Sequence, residues 1–545
     1  MNFKSFYFIL FLSIMVAACN TDDKTSSKAP SENENHLGVI NFEVSGDKKA
    51  KAQFQEGVLL MHSFEYEDAR DAFLKAQELD PTMPINYWGE AMTYNHSLWQ
   101  RQKYDEGIAA LEKLAPTKEE RLDKLPEGFE KDLFKGAEII FGTGTKYDRD
   151  VAYSDYMETL VKKYPKQNEV AAFYAISLLG ASRNGRDQVL YDKAAAIAKG
   201  IIKENPKHPG ALHYMIHSYD DPKHAHLAKN AADSYSKVAP DAAHALHMPS
   251  HIYVALGDWD NVVASNIASW NASYKRKEKK ELKTGDLSYH ALHWLQYGLL
   301  QKGKDEEAAL LLDRMADYQK IDSTQKAKSY LIAMTGAQMV ETQNWNKSAD
   351  LSMDTKKLNL IKKANKIYLD GMKAHANKDK DALDNAVVEI NKEWQIAKDL
   401  VGEAGFAMCG ATGYASKPPN QLEVDMTKVM ELELQAMQAQ LKIDFVEAER
   451  FLKEASELDA TLKYSFGPPR ILKPALEAYA ELLLQQGKYK EATLVFNQSL
   501  KRNPKRLLSL NGKLKALEAL KVLDAEKLKE SIATQTTEKS LPTIM

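Results

Sequence analysis

Cysteine is almost missing: the 545 residues hold two, Cys19 and Cys409. No disulfide framework can brace the chain, so its stability must come from side-chain contacts alone. Glycine and proline are also scarce, at 26 and 18 residues, about 8% together against a usual ~12%. So few breakers leave little room for turn-rich β-architecture, and the chain reads as mostly helix. Arginine is scarcer still, with 12 against 61 lysines and a net charge of −3. That balance lacks the basic stripe that meets phosphates, which excludes nucleic acid as a partner. The metalloprotease helix His-Glu-x-x-His, the Gly-x-Ser-x-Gly elbow and the phosphate-binding Gly-x-x-x-x-Gly-Lys-Ser/Thr loop are all absent. Cys409 has His375 as its nearest histidine in sequence and reads as an idle thiol. What remains is ordinary for a folded protein: 44% hydrophobic and 27% charged residues, neither a disordered chain nor a multi-span membrane protein. The length exceeds what one core organises, so several domains or a repeat is expected.

The first residues read as a processing segment. Lys4 gives the positive end, Phe6 to Val16 is an apolar run too short to span a bilayer, and Val16-Ala17-Ala18-Cys19 follows. Small residues before a cysteine at this depth resemble the bacterial lipobox; the alternative is a plain secretory signal. The resemblance implies removal of residues 1–18 and lipidation of Cys19, a stable tether that does not cross the membrane. Asn20 does not resemble the inner-membrane retention signal of such lipoproteins, and Asp22 and Asp23 resemble signals for export to the cell surface. That implies an anchor at the outer membrane, on its periplasmic or its cell-surface face; the alternative is that they only begin a polar linker. Residues 19–43 are rich in Ser, Asp, Glu and Asn and read as a flexible tether.

A period runs through the rest. Gly57, Ala69 and Pro81 are 12 residues apart, as are Ala480, Ala492 and Pro504, and Ile216, Ala228 and Pro240. Pro206 and Pro240 are 34 residues apart. This pattern resembles the tetratricopeptide repeat, a pair of antiparallel helices that touch through small residues and end at a proline. It implies an all-α chain, an α-solenoid of the tetratricopeptide (TPR) type over residues 44–401, with repeats near 50–83, 84–117, 168–208, 209–242, 243–276 and 289–322. A loop at 402–428, C-terminal repeats within 429–525 (429–462 and 473–506) and a tail at 526–545 complete the expected layout. Residues 84–117 carry an insertion after Asn95, and Val262 stands where a small residue belongs. Such pairs cannot bury their apolar faces alone and stack into a superhelix with a concave groove. Tyr87 to His96 and Phe466-Gly467-Pro468-Pro469 are similar to stretches of bacterial TPR proteins with no assigned activity. That likeness implies scaffolding or binding.

Histidine is concentrated. Ten of the 14 lie between His208 and His293, about a sixth of the chain. In the family, the fifth and ninth places of a repeat line the groove. Here those places hold Trp88 and Met92, His213 and His217, His247 and His251, and His293 and Tyr297. Residues four apart share a helical face, so each histidine pair presents two imidazoles side by side. Three readings follow. A transition metal (Zn, Ni or Cu) could sit among His213, His217, His251 and His293, with Asp220 and Asp221 completing or orienting the shell. The stripe could instead bind an anionic or hydroxyl-rich ligand, or the rings could satisfy one another. Pro249 breaks or starts a helix and would leave His247 ahead of it.

The expected function is a non-enzymatic TPR scaffold or ligand-binding lipoprotein of the outer membrane, accessory to envelope assembly or nutrient uptake, polysaccharide included. Its partners would be the membrane, through the lipid, and a protein, peptide or glycan. Two alternatives stand beside it: a glycan-binding partner of an outer-membrane transporter, and a histidine-rich metal-binding protein or metal-dependent hydrolase. The hydrolase lacks a carboxylate between its histidine pairs to act as base.

Overall fold

The computed structural model describes residues 36–182, 185–345, 349–401, 419–537 and 542–545. Cys19, its lipidation and Cys409 lie outside them. The described chain is helix after helix; its strands are Asn95–His96 and Arg101–Gln102, which pair as a small hairpin in the insertion after Asn95. Among the described residues no helix is long and apolar enough to cross a membrane.

Successive helices form the hairpins that the period requires: Lys48–His62 with Tyr66–Leu79, Pro209–Ser218 with Lys229–Val238, and Ala475–Gln485 with Tyr489–Arg502. Helices ending at Leu79, Glu204, Val238 and Arg502 stop two residues before Pro81, Pro206, Pro240 and Pro504. Proline has no N–H to continue the ladder, so the stop is built in. Small residues set how closely helices approach. A Cβ on Gly57 would stand 2.7 Å from the Phe73 ring, and one on Gly89 2.4 Å from it, so both helices close on that ring. Val262 is tolerated for the complementary reason, because Gly298 faces it across the next helix at a distance that leaves no room for a Cβ.

The superhelix closes on itself. The first hairpin meets the repeats near residues 205–276: Val39 N–H donates to Lys207 O at 2.9 Å, Tyr235 Oη donates to Ser63 Oγ at 3.1 Å, and Arg276 pairs with Asp68 at 2.6 Å. From the other end, Trp259 Nε1 donates to Lys505 O at 3.1 Å, and a Cβ on Gly467 would stand 2.2 Å from Trp294. An open concave groove was expected here; the described chain instead fills it with its own ends.

Three expected boundaries change, each for its own reason. The tether does not reach residue 43, because Phe42 is fully buried against Phe54, Trp88, Phe129 and Phe173. The loop of 402–428 ends earlier, since helix Gln421–Leu441 begins behind an Asn420 capping box. Part of that loop, 402–418, lies outside the described residues. The tail of 526–545 is largely helix Asp524–Thr536, and its last residue is bound: Trp270 Nε1 donates to Met545 O at 2.8 Å.

Candidate metal centre

Six imidazoles converge where the closed superhelix brings three consecutive repeats together. His213 and His217 lie four apart on Pro209–Ser218, a helix started by Pro209 and capped by the His208 ring, which accepts from Ala211 N–H at 3.1 Å. His244 and His247 sit on the short helix Ala243–His247, His251 on Pro249–Leu256, and His290 on Tyr289–Gln301. Pro249 does start a helix, but Met248 keeps helical angles between the two segments. His247 therefore stays within reach of His251, with ring centroids 5.1 Å apart.

Five of the six rings are pinned from behind, and His244 is held through its backbone N–H, which donates to Glu65 at 2.8 Å. The Nδ1–H of His213 donates to His62 O at 2.7 Å, which fixes the tautomer because a carbonyl only accepts. His217 and His251 both donate from Nδ1 to one atom, Asp220 Oδ2, at 3.3 and 3.2 Å. His247 Nδ1 lies 2.7 Å from Asn266 Oδ1, an amide oriented by its own donation to Val262 O. His290 Nδ1 lies 3.3 Å from Tyr330 Oη. Orienting imidazoles through Nδ1 is how proteins aim Nε2 at a metal.

The opposite faces of the rings are bare. The Nε2 atoms of His213, His217, His244 and His290 are buried with no hydrogen-bond partner. Those of His247 and His251 face each other at 3.2 Å. With both Nδ1 positions donating, that contact sets lone pair against lone pair, and a cation between them resolves it. The six fall into two sets, His213/His217/His244 and His247/His251/His290, with ligand atoms within 4.8 Å of one another inside each set.

Electrostatics agree with rings held neutral. Burial, then the neighbouring imidazoles, pushes His213, His244, His247 and His290 far below the ordinary histidine value. Burial would raise Asp220, but the Arg186 guanidinium, followed by His217 and His251, holds its carboxyl far below the usual range. The Arg186–Asp220 ion pair closes the shell from behind. Walls are rigid and apolar: Trp294 stacks on His251 at 4.6 Å, Phe466 lies 4.9 Å from it, and Phe64 lies 4.2 Å from His213. Phe64 adopts a left-handed backbone, φ 57°, which costs a bulky residue about 1–2 kcal/mol. Glycine would remove that cost and also the ring that covers His213.

A cavity of about 320 Å³ opens beside the second set. His244, His247 and His290 line it, together with Tyr66, Trp99, Tyr289 and Tyr330, the cations Arg276 and Lys326, and the carboxylates Glu65, Glu67 and Asp286. Pockets of 300–1,000 Å³ with an apolar lining and a few polar groups take small molecules.

A second buried histidine cluster lies one layer behind. Glu169 accepts from His62 Nε2 at 2.8 Å and His208 Nε2 at 3.1 Å, and all three residues are fully buried. His62 Nδ1 meets Tyr214 Oη at 2.8 Å, and His208 Nδ1 takes Ala211 N–H. Every ring nitrogen has a partner, so this triad is a closed hydrogen-bond network. It fits only because Gly210 has no Cβ, which would stand 2.4 Å from His62 Nδ1.

Of the residues expected to line a groove, His213, His217, His247 and His251 do converge, but as buried rings (2% exposed at most) rather than on an open surface. Asp220 orients two of them, whereas Asp221 pairs with His224 and Arg186 outside the cluster. His293 is not in either set: it packs near Tyr330, 6.1 Å between rings, and His290 takes the place expected of it. Tyr297 accepts from Arg506 Nη1 at 3.0 Å inside a buried ion network. Trp88 and Met92 belong to the core. His244 and His290 escaped the repeat register, although each lies three residues from a histidine that the register selected. The triad had no local signal, because Glu169 is 107 residues from His62.

No protein-family model and no curated protein matches the sequence. Among solved structures, this chain is similar to the APC/C hetero-tetramer Cut9–Hcn1 at 12% identity and TM-score 0.36, covering 88% of this chain and 78% of that one. Yeast Tom70 follows at 13% identity and TM-score 0.31, with 89% and 97% covered. The TPR domain of P58(IPK) stands at 15% identity and TM-score 0.20, with 87% and 98% covered. Likeness this distant says nothing of ligand or reaction. The class is carried by the chain's own helical hairpins: an all-α solenoid of the TPR type.

Proposed function

We propose that the protein is a metalloprotein, a TPR-type solenoid whose six central histidines hold a transition-metal centre at the floor of a small-molecule cavity. One observation carries this reading: six clustered Nε2 atoms, five of them on rings oriented through Nδ1, four without any partner and two confronting each other at 3.2 Å. An unpartnered buried polar atom costs about 1–3 kcal/mol, and a fold that leaves four together has a use for them. Imidazole donors suit zinc, copper, nickel and iron. Three protein ligands per ion leave a coordination position open, as in catalytic rather than structural sites. The adjoining cavity favours binding or reaction of a small molecule over a purely scaffolding role. Its aromatic walls suit a planar or ring-bearing compound.

Purified protein is expected to retain a transition metal through dialysis, and the double change His213→Ala, His217→Ala to abolish it while far-UV circular dichroism stays helical. Absence of metal on elemental analysis, with no uptake on titration with Zn, Ni or Cu, would remove the proposal. Location rests on Val16-Ala17-Ala18-Cys19, which supports a lipid tether at the outer membrane. Cys19→Ser is expected to release the protein from the membrane fraction. A Cys19→Ser protein that still sediments with membranes and takes up labelled fatty acid would end that reading.

A further inference from the structure

The centre proposed above is built twice. His213 and His247 are 34 residues apart, and so are His217 and His251. That interval is one repeat, so the same two positions of consecutive repeats supply each pair. Each pair is then completed by one histidine from a following helix, His244 for the first and His290 for the second. From this duplication we infer that the site holds two metal ions, one per three-histidine set, and that they are a copper pair.

Three observations beyond the repeat carry it. Six imidazoles exceed what one tetrahedral ion takes, and they divide into compact threes. A single atom, Asp220 Oδ2, fixes His217 of one set and His251 of the other, whose rings lie 5.4 Å apart. The two sets therefore adjoin through one shared oxygen, as neighbouring ligand sets do in two-metal sites, whose ions stand about 3.5–4 Å apart. The side chains contacting the cluster identify the metal. Asp220 lies within reach of His217 and His251 as a third possible donor group, but it meets their Nδ1 side and is engaged by Arg186, so the two three-histidine sets present imidazole nitrogen alone. That disfavours manganese, magnesium and calcium, and among divalent ions imidazole sites bind copper most tightly. The one carboxylate that touches the rings, Asp220, is already neutralised by Arg186. Two dications would enter this buried site almost uncompensated, a large desolvation cost. Copper can enter as the monovalent ion, with half the charge.

The test uses the full chain, stripped of metal and titrated anaerobically with Cu(I) against a chromogenic chelator. Two equivalents per chain are expected to bind. His290→Ala is expected to leave one tight equivalent, and so is His244→Ala; neither ring anchors a helix start, and circular dichroism checks that each variant folds. After oxidation with ferricyanide, the wild-type protein should show an electron paramagnetic resonance signal well below two spins per chain, because bridged Cu(II) ions couple. Each single variant should then show a full one-copper signal. One equivalent in the wild-type protein, or loss of all copper in either variant, would overturn the pair and leave a single-ion centre standing. Two equivalents of zinc with no copper retained would overturn the metal assignment. Failure to bind Cu, Zn or Ni at all would take the underlying metalloprotein reading with it.

Discussion

Two histidine clusters lie within one layer of each other, and they differ in a single respect. The His62–Glu169–His208 triad is fully buried, as are four of the six rings of the central cluster. In the triad every nitrogen and both carboxylate oxygens have partners. In the central cluster five rings are held at the rear, and four Nε2 atoms at the front have no partner. Burial and residue type are therefore common to a structural network and to the proposed binding site. Missing partners tell them apart. The two are also connected, since the His62 backbone carbonyl that follows from the triad's helix fixes the His213 ring.

The sharpest way to test the contrast is to damage the triad. Glu169→Ala leaves two buried imidazoles facing nothing, a loss expected to be about 3–5 kcal/mol, read as a large fall in the denaturation midpoint of metal-free protein. If Glu169→Ala is as stable as the wild type, the triad is not the structural member of the two.

The pH dependence of metal-free stability separates them next. Burial would raise the Glu169 carboxyl, but His208 and His62 hold it down at about 2, below its ordinary 4.5. As pH falls below 4.5 the unfolded chain gains that proton and the folded one does not, so stability falls until about 2. Burial holds His62 below 6.5, so unfolding also gains a proton there as pH drops. Both signs agree: stability should decline from pH 6.5 downward and steepen below 4.5. Glu169→Ala should lose part of the steep fall, the rest belonging to Asp220, whose carboxyl is held down in the same way; a variant that keeps all of it would assign that acid sensitivity elsewhere.

In the central cluster the corresponding substitution should act on metal rather than on fold. Asp220→Ala removes the acceptor shared by two rings, and copper affinity is expected to fall 10- to 100-fold by chelator competition. Unchanged affinity would mean that Asp220 orients nothing. The smallest effect belongs to His293→Ala, expected to leave metal content and affinity unaltered because that ring lies outside both sets. Any loss of metal there would bring His293 back into the centre.

Much of this was legible in the sequence where the signal is local. Glycine, alanine and proline at fixed spacing encode helix contacts and stops within one hairpin, so the solenoid could be read directly. Pairs four residues apart share a face, so His213 with His217 and His247 with His251 could be read too, and Asp220 beside them. What depends on distant chain could not. Nothing near His213 announces that Phe64 lies against it, and nothing near Trp88 announces Phe42 and Phe173. The groove reading failed at Trp88, Met92, His293 and Tyr297 because the register assigns a face, while closure of the superhelix decides what that face meets. Spacing of three residues, His244 to His247 and His290 to His293, was the local signal that could have recovered the two further histidines of the cluster.

That closure also changes how such a chain must fold. An open solenoid is quasi-one-dimensional, its stability a sum over neighbours, and it can fray or grow from either end. Here Ser63 bonds Tyr235, Glu65 bonds His244 N–H and Trp259 bonds Lys505, links that span 172, 179 and 246 residues. Contacts so distant in sequence slow folding and make it more nearly all-or-none. The walls of the histidine cluster come from Phe64, from the 213–294 stretch and from Phe466, so no fragment of the chain contains the finished chamber. A nascent or clipped protein would carry the histidines without the enclosure, and the completed ring alone would possess it.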